Sequence, residues 1–462
     1  MQEETTLKKV VNAFQIPFKE KMAYGLGDVG NNLLFDMGQI YLLKFYTDTL
    51  GLPAAVAGLV FLITKIWDGL ADITVGTWID NRRNIGARGK FRPFMLYGAL
   101  PLALITIVSF TTPDFSLTGR TIWAYLTYMA FGTIYSIFNI PYGSMIPAMT
   151  QNSVERSELA SFRWAGANTG LLITTVAFMP IVTAFDSMKT GYIVAASVFA
   201  FLGLLLQLTC YANIKERYVI KEPVKVKGSI ISNYKSLFRN APLLVLSLVN
   251  LLTFSAFNVK LAVQVYYCQY TLHDISIVPY LGFFSIGCVF IGIAMVPYFV
   301  KRIGKKSTYI LGSAIWAIAD IMAYVFANNS ISFIAFACLA FFGTAFINTL
   351  NWALVSDAVE YGEWKTGNRG EGLVYSFFTF SRKLSQALAG FVPGLVLAVV
   401  GYVPNAVQSV TALKGIKGLM FIYPGIMAVA TIVVMSVFYK LSDTRYNEIV
   451  GELNERKRIK SI

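Results

Sequence analysis

Apolar and polar positions alternate along this chain on the scale of whole helices. Long apolar runs with few charges lie near residues 24–50, 53–80, 93–112, 121–150, 161–185, 191–213, 241–272, 278–300, 306–328, 330–357, 373–400 and 412–441. A hydrocarbon core about 30 Å thick takes about 20 residues of helix. The pattern therefore predicts an all-α membrane protein of twelve spans, several long enough to tilt or reach into water.

The basic residues follow the spans. The second connection carries Arg82, Arg83, Arg88, Lys90 and Arg92, and the fourth Arg156. The sixth carries Lys215, Arg217, Lys221, Lys225, Lys227, Lys235 and Arg239, the eighth Lys301, Arg302, Lys305 and Lys306, and the tenth Lys365 and Arg369. Odd connections hold only Arg120, Lys189, Lys414 and Lys417. This asymmetry is the positive-inside rule, so even connections and both termini are expected in the cytoplasm, which an even number of spans permits. A basic turn after span two (Gly76 to Arg83) is echoed after span eight (Pro297 to Lys306). The echo predicts two six-helix halves, 1–213 and 241–462, joined by the basic segment 214–240, as in a transporter with a cavity between its halves. After span twelve a short basic tail is expected.

Composition agrees with that picture. Hydrophobic residues make up 56% of the 462 and charged residues 14%, which suits no soluble chain of this length. The net charge of +14 would suit a nucleic-acid partner, but its placement is topological, and nucleic acid is not an expected partner. Cys210, Cys268, Cys288 and Cys338 lie in or at the ends of spans without CxxC spacing and read as small core residues. His273 is the one histidine. With neither a histidine cluster nor a nucleophile set, no enzyme is expected. The first 21 residues are charged and lead straight into span one, so no signal peptide is expected.

Candidate chemistry comes from polar groups that the spans should not tolerate. Span two, FLITKIWDGLADITVGTWI, holds Asp68 and Asp72 four residues apart, hence on one helical face, with Lys65 a turn before Asp68. A charge at mid-bilayer costs roughly 2.5–3.5 kcal/mol. Two carboxylates so close either share a proton or hold a small hard cation such as Na⁺. A structural Lys65–Asp68 pair with Asp72 solvated is the alternative. Span one offers Asn31, Asn32 and Asp36, of which Asn32 and Asp36 share a face. Ser136 and Asn139 share a face of span four just before Pro141, whose bend should free a backbone carbonyl. Arg163 opens span five, as either an anion clamp or a positive-inside anchor. Span eleven places Thr379, Arg382 and Lys383 in an apolar run, with Tyr375, Phe378 and Trp352 as rings on which a sugar could stack. Lys260 and Asp320 are further charges within spans seven and nine.

Six stretches carry a family resemblance: YGLGD at 24–28, YTD at 46–48, IWDGLAD at 66–72, GKFRP at 89–93, NIPYGS at 139–144 and DAVEYGEWKTGNRGEGLVYS at 357–376. Together they resemble the glycoside–pentoside–hexuronide:cation symporters, the melibiose-permease-like group of the major facilitator fold, over nearly the whole chain. The resemblance implies two six-helix bundles, alternating access, and sugar uptake coupled to Na⁺ or H⁺ across a bacterial cytoplasmic membrane, with no other cofactor and a monomer as the expected unit. By position it makes Asp68 and Asp72 the cation carboxylates, joined by Ser136 where the melibiose branch has a threonine. Lys383 becomes the lysine linking cation and sugar, and Arg163 a sugar-site arginine. Two sugar-binding aspartates of the melibiose branch fall on Asn32 and Asn139 here, and a sugar-site tryptophan on Asn348. That pattern, with Arg382-Lys383 and GEWKTG, is closer to the glucuronide and xyloside permeases. Two fewer negative charges suit an anionic sugar, and suit a neutral pentoside equally. A lipid or lysolipid transporter of the same fold and an uncoupled facilitator are the alternatives.

Overall fold

The computed structural model describes residues 16–80, 86, 88–150, 152–218, 237–367 and 371–460. Residues 1–15, the turn residues Arg82 and Arg83, most of the basic linker with Lys221, Lys225, Lys227 and Lys235, and Arg369 lie outside the described residues.

Every described segment of any length is helical. In order they are α1 (Phe18–Lys44), α2 (Ala54–Asp80), α3 (Arg92–Ser109), α4 (Leu117–Met149), α5 (Ser153–Thr183), α6 (Met188–Asn213), α7 (Ala241–Tyr266), α8 (Ile277–Phe326), α9 (Ser330–Thr366), α10 (Glu371–Val399), α11 (Val410–Lys417), α12 (Tyr423–Phe438) and α13 (Asp443–Lys460). Short π-helical turns extend α1 (Phe45–Thr49) and α7 (Tyr267–Thr271) and join α11 to α12 (Gly418–Ile422). Among the described residues, eight helical stretches are long and apolar enough to cross a membrane. The long helices outside that set are α1, α4 and α10, diluted by the polar residues singled out above.

One expectation changes and one holds. The spans near 278–300 and 306–328 are two helices within the run Ile277–Phe326, separated at Gly304, which has φ 80° and ψ 166°. That left-handed backbone suits glycine, and a Cβ there would sit 2.5 Å from the Asp443 carboxylate, which accepts from the Lys305 amide at 2.9 Å. The tail is not a short extension but the helix α13. Its low apolarity hid it, because its stability comes from docking. Trp364 Nε1 donates to Glu452 at 2.7 Å, Arg456 to the Trp364 carbonyl at 3.1 Å, and Tyr446 to Glu360. The DAVEYGEW stretch thus supplies Asp357, Glu360 and Trp364 as a fastening strip, with Lys305 Nζ 2.6 Å from Asp357.

The chain divides into two compact units, 1–38 with 67–224 and 39–66 with 225–462. In the first, α1 is central. Its glycines let neighbouring backbones close in, since lipid gives no hydrophobic drive between helices and packing must hold them. A Cβ on Gly30 would lie 2.7 Å from the Gly203 carbonyl of α6. At one end, Glu216 accepts from the amides of Lys90, Phe91 and Arg92 at 2.7, 2.8 and 2.8 Å. It thereby satisfies the open N-terminus of α3 with a negative charge. Arg217 forks onto Glu20 at 2.8 and 2.7 Å, and that bonding raises the guanidinium above its usual range.

In the second unit, residues 39–66 pack with α7 and α10. Asp48 is the hub of a polar knot. It takes Lys44 Nζ at 2.6 Å, the Thr47 hydroxyl at 2.7 Å, Tyr270 at 2.7 Å and Tyr402 at 2.6 Å. Its carbonyl takes the Asn405 amide at 2.7 Å, and Lys44 lies over the Tyr266 and Tyr270 rings at 4.8 and 4.9 Å. Nearby, α2 and α10 touch through glycines: a Cβ on Gly394 would meet the Ala54 carbonyl and Gly58 Cα, both at 2.6 Å. Gly394→Ala should therefore cost ~1–3 kcal/mol by overpacking and lower the melting midpoint of the purified protein. Gly287→Ala, with nothing within 4 Å, should be neutral or raise it, because alanine favours helix by up to about 1 kcal/mol. Paired thermal unfolding in one detergent checks the opposite signs.

Candidate functional site

In the first unit, α2 and α4 are matched rung for rung. Asp68 and Asp72 are one turn apart on α2, Gly132 and Ser136 one turn apart on α4. The Asp68 carboxylate lies so close to Gly132 that a Cβ there would overlap it. Ser136 donates to Asp72, and its oxygen also sits 3.0 Å from the Gly132 carbonyl. Trp67 Nε1 donates to Thr133 Oγ1 at 2.9 Å, a further link between α2 and α4. Asp68 is buried and Asp72 half-buried. Two carboxylates, a hydroxyl and a backbone carbonyl make an all-oxygen donor set, which suits a small hard monovalent cation or a proton. Among the described residues, no cluster of three or more His, Cys, Asp or Glu could hold a metal ion.

The amides of α1 are mostly committed to the fold. Asn31, fully buried, donates to Asn139 at 2.9 Å and accepts from Gln207 on α6 at 3.2 Å. Asn32 donates to the Asp28 carbonyl at 2.9 Å. The helix α4 continues through Pro141 and Pro147, each of which has no N–H to give to the preceding turn. Arg163 on α5 pairs with Asp28 at 2.8 Å and stacks on Tyr142 at 4.7 Å. Asp28 was not a sequence candidate. Its signal was an acid inside a span, two helical turns before Asp36 on the same face. Asp36 itself is 9% exposed and makes no hydrogen bond or ion pair among the described residues, and its Oδ2 is buried without a partner.

Asn348, Thr379, Arg382 and Lys383 belong to the second unit. Arg382 and Lys383 are half-buried on α10, Asn348 half-buried on α9, and Thr379 exposed. Arg382 lies over the Phe254 ring at 4.3 Å and the Trp352 ring at 5.4 Å, with no carboxylate beside it among the described residues. Trp352 in turn stacks with Tyr375 at 6.2 Å and 23°. Asn250 and Ser381, not foreseen from the sequence, brace the same turn of α10 through a 2.8 Å bond. The remaining intramembrane pair, Lys260 with Asp320, is closed off by Trp316 Nε1 at 2.8 Å and is 1% or less exposed.

Similar proteins place these features in context. A family model described as MFS/sugar transport protein matches residues 23–443. A putative 2,3-dihydroxypropane-1-sulfonate exporter of Salmonella typhimurium is 50% identical over 446 residues, covering 96% of this chain and 97% of that protein. A putative sulfoquinovose importer of Escherichia coli is 49% identical over 443 residues, covering 96% and 95%. Among solved structures, a bacterial homologue of the human lysosomal transporter Spinster superposes with a TM-score of 0.68 at 12% identity, covering 92% of this chain and 98% of that one, which shows a shared fold.

The Asp28–Arg163 pair generates a stability expectation. Removing one partner of a buried pair costs ~3–5 kcal/mol. Asp28→Asn should fall at the low end, because the Arg163 side chain keeps 27% exposure. Asp28→Asn with Arg163→Gln should lose less than the sum of the singles. A double-mutant cycle on thermal midpoints checks this.

Proposed function

The chain belongs to the MFS/sugar transport family, in its melibiose-permease-like group, and we propose that it carries an anionic sugar or polyol coupled to a cation taken at Asp68 and Asp72. It is a multi-pass membrane protein and a sugar transporter, not an enzyme.

Arg382 is the observation that supports an anionic cargo. Arg163, Lys44, Lys260 and Lys305 each have a carboxylate. Arg382 has two aromatic faces instead. Cation–π contact contributes ~0.5–2 kcal/mol, against roughly 2.5–3.5 kcal/mol for an arginine at mid-bilayer. A substrate anion supplies the difference, and a planar guanidinium fits a carboxylate or sulfonate with two parallel hydrogen bonds. Trp352 and Tyr375 give the sugar ring a stacking face. Both relatives are named for substrates of this kind: 2,3-dihydroxypropane-1-sulfonate is a hydroxylated anion and sulfoquinovose a sulfonated sugar. A uronate carboxylate meets the same requirements.

The α2–α4 ladder supports cation coupling. With both carboxylates ionised, their repulsion disfavours the closed packing against Gly132 and Ser136, and a bound Na⁺ or proton relieves it. Coupling is reciprocal, so cation and substrate each raise the other's affinity by one factor. The basic even connections support insertion in a bacterial cytoplasmic membrane with both termini inside.

The test is binding and transport of a sulfonated glycoside, a glucuronide and a neutral xyloside in proteoliposomes, with Na⁺ varied at two pH values. The anionic ligands are expected to bind. Arg382→Ala should weaken them about tenfold to a hundredfold, the loss of a charged hydrogen bond worth ~1.5–3 kcal/mol, and Arg382→Lys should recover part. Asp72→Cys should abolish cation-driven accumulation. Equal affinity for the neutral xyloside, unchanged by Arg382→Ala, would overturn the anionic reading.

A further inference from the structure

We propose that Asp36 is a second ion-binding site of this transporter: a carboxyl on α1 that takes up one proton and releases it in each transport cycle, distinct from the Asp68–Asp72 pair. The proposal rests on the cation-coupled reading above.

Asp36 stands out among the intramembrane acids. Asp28 has Arg163, Asp48 has Lys44 and three hydroxyls, Asp320 has Lys260 and Trp316, and Asp72 has Ser136. Asp36 has no hydrogen-bonding group of the protein at all among the described residues, although it is 9% exposed. An ionised carboxylate is not kept in such a place without a counter-charge or donors. The neutral acid is, because a carboxyl group loses far less on leaving water.

The surroundings offer no substitute for a proton. On α1 the neighbouring polar groups are Asn32, whose amide is spent on the Asp28 carbonyl, Asp28 itself, and Gln39, a buried neutral amide. On α5 the basic group is Arg163, held by Asp28. On α2 the charged group that shares the surroundings of Tyr135 with Asp36 is Asp72, of the wrong sign. On α6 the polar group is Gln207, bonded to Asn31. On α4 the titratable group is Tyr135, whose ring packs on Phe35 at 5.1 Å and which lies in the electrostatic field of Asp36, Asp72, Asp28 and Arg163. Tyr135 thus sits where the charge on Asp36 and the charge on Asp72 are both felt. Loss of the Asp36 proton and arrival of a cation at Asp72 are opposite changes at that one position, so the two sites communicate without touching.

The step balances simply: Asp36–CO₂H gives Asp36–CO₂⁻ and H⁺, the proton coming from water on one side and leaving to water on the other. A role in holding substrate hydroxyls is the competing account. It predicts that an amide serves as well as a carboxylate for proton movement, and that only substrate affinity changes on substitution.

The experiment counts protons in proteoliposomes that hold a pH-sensitive dye, with 2,3-dihydroxypropane-1-sulfonate or a glucuronide as the probe. Asp36→Asn keeps the shape of the neutral acid. It should retain substrate exchange within a few-fold of wild type, keep only the pH dependence that belongs to the Asp68–Asp72 pair, and move one proton fewer per substrate. Its dependence on the cation at Asp68–Asp72 should persist, so loss of cation-driven uptake in Asp72→Cys reports separately on the symport reading. An unchanged proton count and pH profile in Asp36→Asn would sink the proposal and leave symport standing. Should that variant fail to fold, substrate-induced infrared difference spectra of the wild type decide: loss of a protonated-carboxyl band on release supports the assignment, and no such band overturns it.

Discussion

A charge inside a helix bundle has to be answered by another charge or by donors close at hand, and this constraint organises the molecule. Arg163 with Asp28 and Lys260 with Asp320 each join helices far apart in sequence, and Asp48, paired with Lys44 one turn away, does so through Tyr270 and Tyr402. Such pairs add little net stability, since desolvation consumes most of the attraction, but losing one partner strands the other. They therefore specify which helix meets which. Arg382 and Asp36 escape the rule, and each can be answered by something that arrives during transport.

Several stretches that carry the family resemblance turn out to fasten the bundle rather than to face a cargo. Asp48 of YTD is the hub of the tyrosine knot. Gly89 of GKFRP has φ 86° and lies under Glu216, whose carboxylate covers the next three amides. Asp357, Glu360 and Trp364 of the long stretch dock Lys305 and α13. All three lie where helices end, and there the backbone has open donors and acceptors that side chains must satisfy. A residue type can recur at such a place for reasons of closure alone.

The helices and the α2 carboxylate pair were legible in the sequence because both are local. Apolar length sets a span, and a spacing of four sets a face. Partners were not legible, because spacing says which face a residue occupies but not what lies opposite. Asn31 and Asn32 looked alike in sequence. Yet Asn31 is spent on Asn139 and Gln207, 108 and 176 residues away, while Asn32 bonds its own helix. Asp28 hid inside a glycine-rich motif until Arg163 gave it a purpose. The helix α13 was missed because its apolar content is low and its support comes from Trp364, Glu360 and Asp443 contacts that no local window contains. The two spans meeting at Gly304 were separated correctly by hydropathy. Only the single glycine that turns the chain between them was too small a signal to read.

Under the proposed coupling, charge balance ties the two ion sites to the cargo. One cation moving with one anion is electroneutral, and the membrane potential then does no work on the cycle. A further proton makes the net charge +1, and the potential contributes about 2.3 kcal/mol per 100 mV, or close to fiftyfold in accumulation at 1.4 kcal/mol per decade. An anionic substrate is thus harder to concentrate than a neutral one by any carrier with a single coupling ion, because the inside-negative potential opposes it. A carboxyl placed like Asp36, apart from the α2 pair and without a permanent partner, is what a carrier of anions needs and a carrier of neutral sugars can do without.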